Sequence, residues 1–399
     1  MNILYLDHYA GSLSYGRSFR PHYLGREWVK DGHNVTVVGS RYSHLRQKQP
    51  AADQETIEGI QYLWLPGMRY QGNGLQRIMS MFVFIWQLLF NTRKIMSASQ
   101  PDTIIASTVY MMDIFPAWLY KKLSKKPVKI IFELHDIWPL SPQLLGNLSP
   151  YNPFILFLKL VESCVYRIAD KVVSILPNAY EYVQQFGVQE EDYRHIPNGV
   201  NLADWAEENI QPLPKPTEDS VGQIKADYDF LVGYAGHVNL GNQLESLIAA
   251  APALAHKKVA IVILGDGPEK KSLQQRADGL ESRNIFFLDP ISKQSIPAFL
   301  HQMDALYFGL NDHELYKYGI SLNKMYDYMM AGKPIVAAVP NSNNLISQQK
   351  CGVVVPPGNS EAVARAVLEL SNVHIDIKSG KDFVISNCNY AFLAKKFMA

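Results

Sequence analysis

Short runs of β-branched and aliphatic residues alternate along the chain with longer stretches whose apolar positions recur at helical spacing. That alternation predicts parallel sheets with helices on both faces. In the first half the strands read "NILYL", "NVTVV", "TIIAS", "VKIIFEL", "KVVSI" and "RHIP", with helices near 20–31, 75–98, 112–124, 153–168 and 178–186. "QPLPKPTEDSVGQ" then breaks the pattern, and its three closely spaced prolines predict an extended, helix-free linker. The second half resumes with "DFLVGYAG", "VAIVILGDG", "NIFFLD", "DALYFGL", "PIVAAV" and "GVVVPP". Its helices fall near 242–254, 269–278, 294–301, 341–349 and 359–371, with a short one carrying Asp327 between "DALYFGL" and "PIVAAV", and the tail is helical from about 389. The reading is α/β, with two Rossmann-like doubly wound domains. Residues 1–205 form the first, 206–228 the linker and 229–379 the second, and a C-terminal helix at about 380–399 packs back on the first. In such sheets ligands bind beyond the carboxyl ends of the strands, so a site in a central cleft between two facing domains is expected.

Composition changes this picture little. The chain has 399 residues, 47% hydrophobic and 19% charged, with a net charge of +1, so no global attraction to nucleic acid is expected. The charge is uneven, however: residues 1–130 carry 16 Lys and Arg against 8 Asp and Glu. A basic first third suits an anionic surface, either lipid headgroups or a diphosphate-linked substrate. Cys164, Cys351 and Cys388 are far apart and show no disulfide or metal spacing, which fits a reducing compartment. No charged and apolar leader precedes the first strand, so no signal peptide is expected. "RIMSMFVFIWQLLFNTRK" is too short in its apolar part to span a membrane. It is either a core helix or one lying partly in a membrane interface, with Arg77, Arg93 and Lys94 at its ends.

Candidate chemistry lies at predicted strand ends. In "YKYGISLNKMYDYMMAGKP" the turn Gly319-Ile320-Ser321 leads through Asn323 and Lys324 into a short helix carrying Asp327. A helix start holds anions, and positions three apart share a face. Lys324 matched to a phosphate and Asp327 to a hydroxyl pair would make a nucleotide-sugar grip; the alternative is an exposed ion pair. The loop after the first strand contains Gly11, Ser12, Tyr15 and, at the next helix start, Arg20, suited to a sugar or phosphate on the acceptor side. His135 and Asp136 end another strand before Trp138, placed for hydrogen bonds to hydroxyls or for proton transfer, or else for a structural turn. Gly236, His237 and Asn239 open a helix, as do Gly265, Asp266, Gly267 and Pro268, whose glycines allow a close backbone approach to a ligand. Backbone groups of Ile291 could meet a nucleobase edge. HExxH, GxSxG, GxxxxGK[ST] and an initial GxGxxG are all missing from the sequence, which removes the main signatures of zinc hydrolases, serine esterases, P-loop NTPases and ordinary dinucleotide oxidoreductases.

"HDIWP", "IPNGVNL", "LGDGPEKKSL", "NIFFLDPISKQSIPAFLHQMDALYFGL" and "NKMYDYMMAGKPIVA" together resemble the family 4 glycosyltransferases, and most closely the WbuB-like transferases of bacterial surface polysaccharide assembly. The resemblance implies a GT-B fold and a retaining, metal-independent transfer with no cofactor. The donor would be a UDP-linked sugar on the second domain. The acceptor, a lipid-linked glycan of O-antigen or capsule type or an oligosaccharide, would lie on the first, with the enzyme peripheral on the inner face of the cytoplasmic membrane. Asp327 matches the second carboxylate of the family's paired-glutamate motif, which grips the donor ribose. Gly319 replaces the first, and Ser321, Asn323 and Lys324 take over contacts to diphosphate and sugar. His237 and Leu240 stand where the family often has Arg and Lys, leaving Lys324 as the main cation on the leaving group. His135, Asp136 and Lys324 form the expected catalytic set. Competing readings are a catalytically impaired nucleotide-sugar-binding relative and a nucleotide-sugar epimerase of the same fold.

Overall fold

The structure is a computed structural model that describes residues 1–16, 19–70, 72, 74–340, 344–373 and 377–399. The chain forms two compact units, Met1–Pro197 with Tyr390–Ala399, and Asn198–Asn389.

The first unit contains β1 (Asn2–Leu6), α1 (Arg20–Lys30), β2 (Asn34–Ser40), β3 (Gln54–Ile57), β4 (Ile60–Leu65), α2 (Leu75–Phe90) and α3 (Thr92–Ser99). Then come β5 (Thr103–Ala106), α4 (Ile114–Leu123), β6 (Lys129–Leu134), α5 (Leu140–Leu144), α6 (Pro153–Ile168), β7 (Lys171–Ser174), α7 (Tyr180–Val183) and β8 (Tyr193–His195). The strands form one sheet in the order β3-β4-β2-β1-β5-β6-β7-β8, parallel except for the edge hairpin β3–β4. The hairpin was not legible in the pattern. It closes through Glu58 and Gly59, both at positive φ, as a tight two-residue turn requires.

The second unit contains α8 (Lys215–Asp227), β9 (Phe230–Ala235), α9 (Leu244–Ala255), β10 (Val259–Leu264), α10 (Lys270–Asp278), β11 (Ile285–Leu288), α11 (Ile296–Gln302) and β12 (Ala305–Gly309). It continues with α12 (Asn323–Met330), β13 (Ile335–Ala338), α13 (Leu345–Gln348), β14 (Gly352–Val355), α14 (Ser360–Asn372) and α15 (Lys378–Asn387), while α16 (Tyr390–Met398) belongs to the first unit. The six strands are all parallel, in the order β11-β10-β9-β12-β13-β14. Every residue of β10, "VAIVIL", is buried, because helices cover both faces of the sheet.

Three expectations need correction. The linker stretch is not helix-free: α8 occupies 215–227. Pro216 falls in the first turn, where its missing N–H costs nothing, and Thr217, Val221 and Ile224 bury one stripe. The single helix expected at 75–98 is two, broken at Asn91, whose side chain donates to the Gln87 carbonyl. The helix expected at 341–349 is α13, and residues 341–343 of that expectation lie outside the described residues.

Candidate functional site

Each sheet reverses its strand order at one place, between β1 and β5 in the first unit and between β9 and β12 in the second. Loops diverge at such a point and open a crevice at the carboxyl edge.

In the second unit the loop after β9 and the start of α12 meet there. Lys324 Nζ donates to Tyr234 Oη at 2.9 Å and to Asn242 Oδ1 at 2.6 Å, and lies 4.5 Å from the centre of the Tyr234 ring. Tyr234 Oη and Asn242 Nδ2 both donate to the His237 carbonyl, at 2.7 and 2.8 Å, so the amine and the loop are one hydrogen-bonded assembly. An ammonium has three donors, and two are used by these partners. Burial pulls the pKa of Lys324 down to about 7. No carboxylate is paired with it among the described residues, and no side chain caps the start of α12. Gly236 lies beside the amine: a Cβ there would sit 3.4 Å from Lys324 Nζ and 3.1 Å from Tyr234 Oη.

Asp327 does not share the Lys324 spot. Its Oδ2 accepts from Lys293 Nζ at 2.9 Å, across α12 from the loop after β11. Burial works against charge on Lys293, but the Asp327 carboxylate outweighs it and holds the lysine pKa above its usual value. The grip read from one helix face is thus two separate cation centres, Lys324 with neutral partners and Lys293 paired to the Asp327 carboxylate.

Gly265 and Gly267 do permit a close approach, but to the chain itself. A Cβ on Gly265 would fall 1.9 Å from the Gly236 carbonyl oxygen, and one on Gly267 2.1 Å from that of Val238. The two loops therefore pack backbone on backbone. The Asp266 carbonyl accepts from Val238 N at 2.9 Å and lies 2.9 Å from His237 Nδ1. Asn239 Oδ1 accepts from Asn242, Leu240 and the Asp266 side chain are exposed, and Pro268 is exposed beside them. Ile291 is half-buried against the core, and Ile320 is buried in it. Ser321 is also buried. Its hydroxyl accepts from the Asn198 amide at 2.9 Å, its carbonyl accepts from Asn198 Nδ2 at 2.6 Å, and Tyr326 Oη lies 3.2 Å away. Asn323 is exposed at the first position of α12. Gly319 has φ 92° and ψ 179°, a backbone region essentially reserved for glycine.

In the first unit Arg20 is not an acceptor-side group. It is buried, and its guanidinium donates to Glu133 Oε1 at 2.8 Å and to the carbonyls of Pro197 and Ile196 at 2.6 and 2.8 Å. A helix-start arginine looks the same in sequence whether it faces solvent or a buried glutamate 113 residues away. Gly11 and Ser12 are buried too, and Tyr15 gives its hydroxyl to Glu55 at 2.6 Å, so none of these side chains is offered to an acceptor. Arg17 and Ser18 of the same loop lie outside the described residues.

Glu133 is the hub of a buried network. It accepts from Arg20, from Tyr5 Oη and from Ser107 Oγ, the last at 2.8 Å. Burial opposes its charge, but Arg20 and His135 hold its pKa well below the usual carboxylate range. His135 Nε2 lies 2.7 Å from Ser107 Oγ and 3.2 Å from Glu133 Oε2, with part of the ring exposed. At the end of β1, burial raises Asp7 to about 6, with His135 and the Tyr9 amide acting against the rise. The Asp136 carboxylate accepts from Ile137 N at 2.9 Å and from Ser141 Oγ, an Asx-type turn leading into α5. Burial raises its pKa. Trp138 stands edge-on to Phe154, ring centres 6.3 Å apart. His135 is thus the group of this loop with an imidazole at the edge and buried charge behind it, while Asp136 shapes the turn.

Tyr234, Asn242, Lys293 and Asn198 were missed. Tyr234 reads as an ordinary strand residue. Lys293 lies 34 residues from Asp327, a pairing with no local signal. Among the described residues no group of three or more His, Cys, Asp or Glu is placed to hold a metal ion.

Two family models match in succession, "Glycosyltransferase Family 4" over residues 21–204 and "Glycosyl transferases group 1" over 229–372, together most of the chain. Solved structures of like fold include sucrose-phosphate synthase from Thermosynechococcus elongatus, at 17% identity and TM-score 0.74, with 100% of this chain and 98% of that one covered. Anabaena HepE in complex with UDP-glucose aligns at 17% identity and TM-score 0.65, covering 99% and 98%. The lipopolysaccharide outer core galactosyltransferase WaaB aligns at 15% identity and TM-score 0.63, covering 100% and 98%. No curated protein matches in sequence.

Proposed function

We infer, for a chain that belongs to the glycosyltransferases of the GT-B fold, a transfer of sugar from a uridine diphosphate donor to a hydroxyl of a lipid-linked surface glycan of O-antigen or capsule type. The observation that carries the donor reading is Lys324, a half-buried amine with no carboxylate partner among the described residues, at the switch point of the second sheet. A diphosphate there would supply the missing anion and share the amine with Tyr234 and Asn242. HepE, similar in fold, is a protein seen with UDP and UDP-glucose, and WaaB by its description acts on lipopolysaccharide. The "HDIWP" motif and the WbuB-like resemblance favour the same acceptor class.

In the proposed reaction the bond between the anomeric carbon and the diphosphate oxygen breaks, and its electron pair leaves with the nucleotide. The acceptor oxygen bonds to that carbon on the same face, and its proton passes to the departing phosphate. Negative charge grows on the leaving group, so a preorganised ammonium beside glycine-lined backbone is the main stabiliser. Asp327, paired with Lys293, holds the ribose, and His135 orients the acceptor hydroxyl. The enzyme acts peripherally at a membrane face; no described helix is long and apolar enough to cross one.

The test is turnover and calorimetry with UDP-sugars. Lys324→Ala should lower kcat by about a hundredfold or more, in the range of a lost oxyanion-type donor, while circular dichroism stays unchanged. Asp327→Ala should weaken UDP binding. Turnover by Lys324→Ala within a few fold of wild type would remove the diphosphate role. One observation favours a binding-only relative: Gly319 departs from the family's glutamate in backbone as well as side chain, so the carboxylate cannot be restored without strain. UDP binding without transfer or donor hydrolysis would establish that reading instead.

A further inference from the structure

The first unit carries an apolar surface that the donor chemistry does not use. On α2 the residues Leu75, Met79, Phe82, Trp86 and Phe90 follow one another at helical spacing, and all are exposed, Trp86 at 65% and Phe90 at 77%. Phe115 and Trp118 make a similar stripe on α4, Trp118 at 46%, and Leu156 and Leu160 on α6, Leu160 at 65%. The stripes adjoin: the rings of Phe82 and Phe157 are 5.8 Å apart, and Tyr120 Oη donates to the Leu88 carbonyl at 2.6 Å. Isolated exposed apolar residues are ordinary, but a contiguous face with two tryptophans marks an interaction surface.

The charge on these helices has a pattern. Cations follow each apolar stripe toward its C-terminal end: Arg93 and Lys94 just beyond Phe90, Lys122 beside Trp118, and Arg167 two turns beyond Leu160, while Lys159 sits within the α6 stripe between Leu156 and Leu160. Across α2, α3, α4 and α6 the only carboxylate is Glu162. It points inward, is 3% exposed, and accepts from Tyr182 Oη at 2.8 Å, while burial raises its pKa to about 8. Lys121 pairs with Asp170, and Arg77 lies over the Tyr9 ring, so neither contributes to the outer face. Each helix follows a strand and runs back along the sheet. The stripes therefore begin near the carboxyl edge, where His135 and Trp138 stand, and Arg93, Lys94, Lys122 and Arg167 lie toward the opposite edge.

We propose that the outer face of α2, α4 and α6 docks on an anionic phospholipid leaflet, its aromatic and aliphatic side chains in the headgroup–acyl boundary and its lysines and arginines on the phosphates. Tryptophan favours that boundary, and cations outside it meet the negative surface potential. A second copy of this chain fits less well, since like faces would bring like charges together. The proposal deepens the lipid-linked acceptor reading by placing the His135 edge next to the lipid surface. It is measured without turnover, so either can fail alone.

The experiment is co-sedimentation of the full chain with vesicles of phosphatidylcholine, with and without phosphatidylglycerol. Wild type should partition at least tenfold more onto the anionic vesicles, with a blue shift of tryptophan emission. Arg93→Gln, Lys122→Gln and Arg167→Gln together should lower that partition by about a hundredfold, roughly fivefold per cation. Trp86→Ser with Trp118→Ser should abolish the blue shift. All five positions are exposed, so melting temperatures should stay near wild type. Equal partition of wild type and variants, or no vesicle binding at all, would overturn the proposal. So would a concentration-dependent dimer that the Trp86→Ser and Trp118→Ser pair dissolves while vesicles leave wild type unbound, which would give the face to a second copy.

Discussion

Lys324 concentrates the chemistry of this chain in one amine. Two neutral oxygens hold it where water is partly excluded, so its proton is weakly bound, with a pKa of about 7. The sign of the resulting pH dependence follows from linkage. The folded pKa is below the unfolded one, so the unfolded chain binds more protons between pH 7 and the ordinary lysine value. Stability should therefore rise with pH across that window and be lost as pH falls through 7. A bound diphosphate reverses the local balance, because its charge favours the ammonium. UDP binding at pH 8 should take up close to one proton, and affinity should fall by up to about tenfold per pH unit above 7. Calorimetry in buffers of different ionisation enthalpy measures the uptake, and Lys324→Met should abolish it. Proton-neutral binding by wild type would detach Lys324 from the diphosphate. The buried pair Arg20–Glu133 shows the opposite use of charge: each partner is fully engaged by the chain and neither is offered to a ligand.

At the level of elements, the glycines after β9 and β10 do something their motif does not announce. "YAG" and "LGDG" read as ligand-approach loops, yet Gly265 and Gly267 allow the two loops to touch each other, and only Gly236 borders the amine. Position 265 also has φ 149°, a conformation side chains seldom adopt. Gly265→Ala should therefore cost roughly 1–3 kcal/mol in backbone strain alone and push the 236–238 loop off its seat. A lowered urea midpoint with weakened UDP affinity is the expected result. A fully stable variant with wild-type affinity would show that the loop contact is dispensable. The same distinction separates Asp136 from His135. Adjacent in sequence at the end of one strand, they differ because Asp136 Oδ1 closes a turn while the imidazole faces Ser107 and Glu133.

At the scale of the whole molecule, the chain returns to its first unit at the end. Tyr390, Leu393 and Phe397 of α16 are buried there, Trp28 Nε1 donates to the Ala394 carbonyl at 2.9 Å, and the Phe397 ring lies 5.3 Å from that of Trp28. Three large apolar side chains at roughly 1.5–3 kcal/mol each make this a substantial share of a typical domain's stability. Deleting residues 390–399 should lower the melting temperature of the first unit by ten degrees or more, seen as an early transition in calorimetry. An unchanged transition would make α16 an ornament rather than part of the core.

The sequence by itself determined the architecture. Apolar runs and helical spacing are local properties, repeated often enough to specify two parallel sheets, and the carboxyl-edge rule then located the loops of interest. It also marked Lys324 and Asp327, because a lysine at a bare helix start is unusual on its own terms. What it left undetermined were pairings across the fold. Whether Arg20 meets solvent or Glu133, whether Asp327 meets a ribose or first Lys293, and whether "PTEDSVGQ" stays extended or buries Thr217 and Val221 all depend on neighbours distant along the chain. Those neighbours decide burial, and burial decides which charges are spent inside the protein and which remain for a ligand. Only the tertiary structure supplies them.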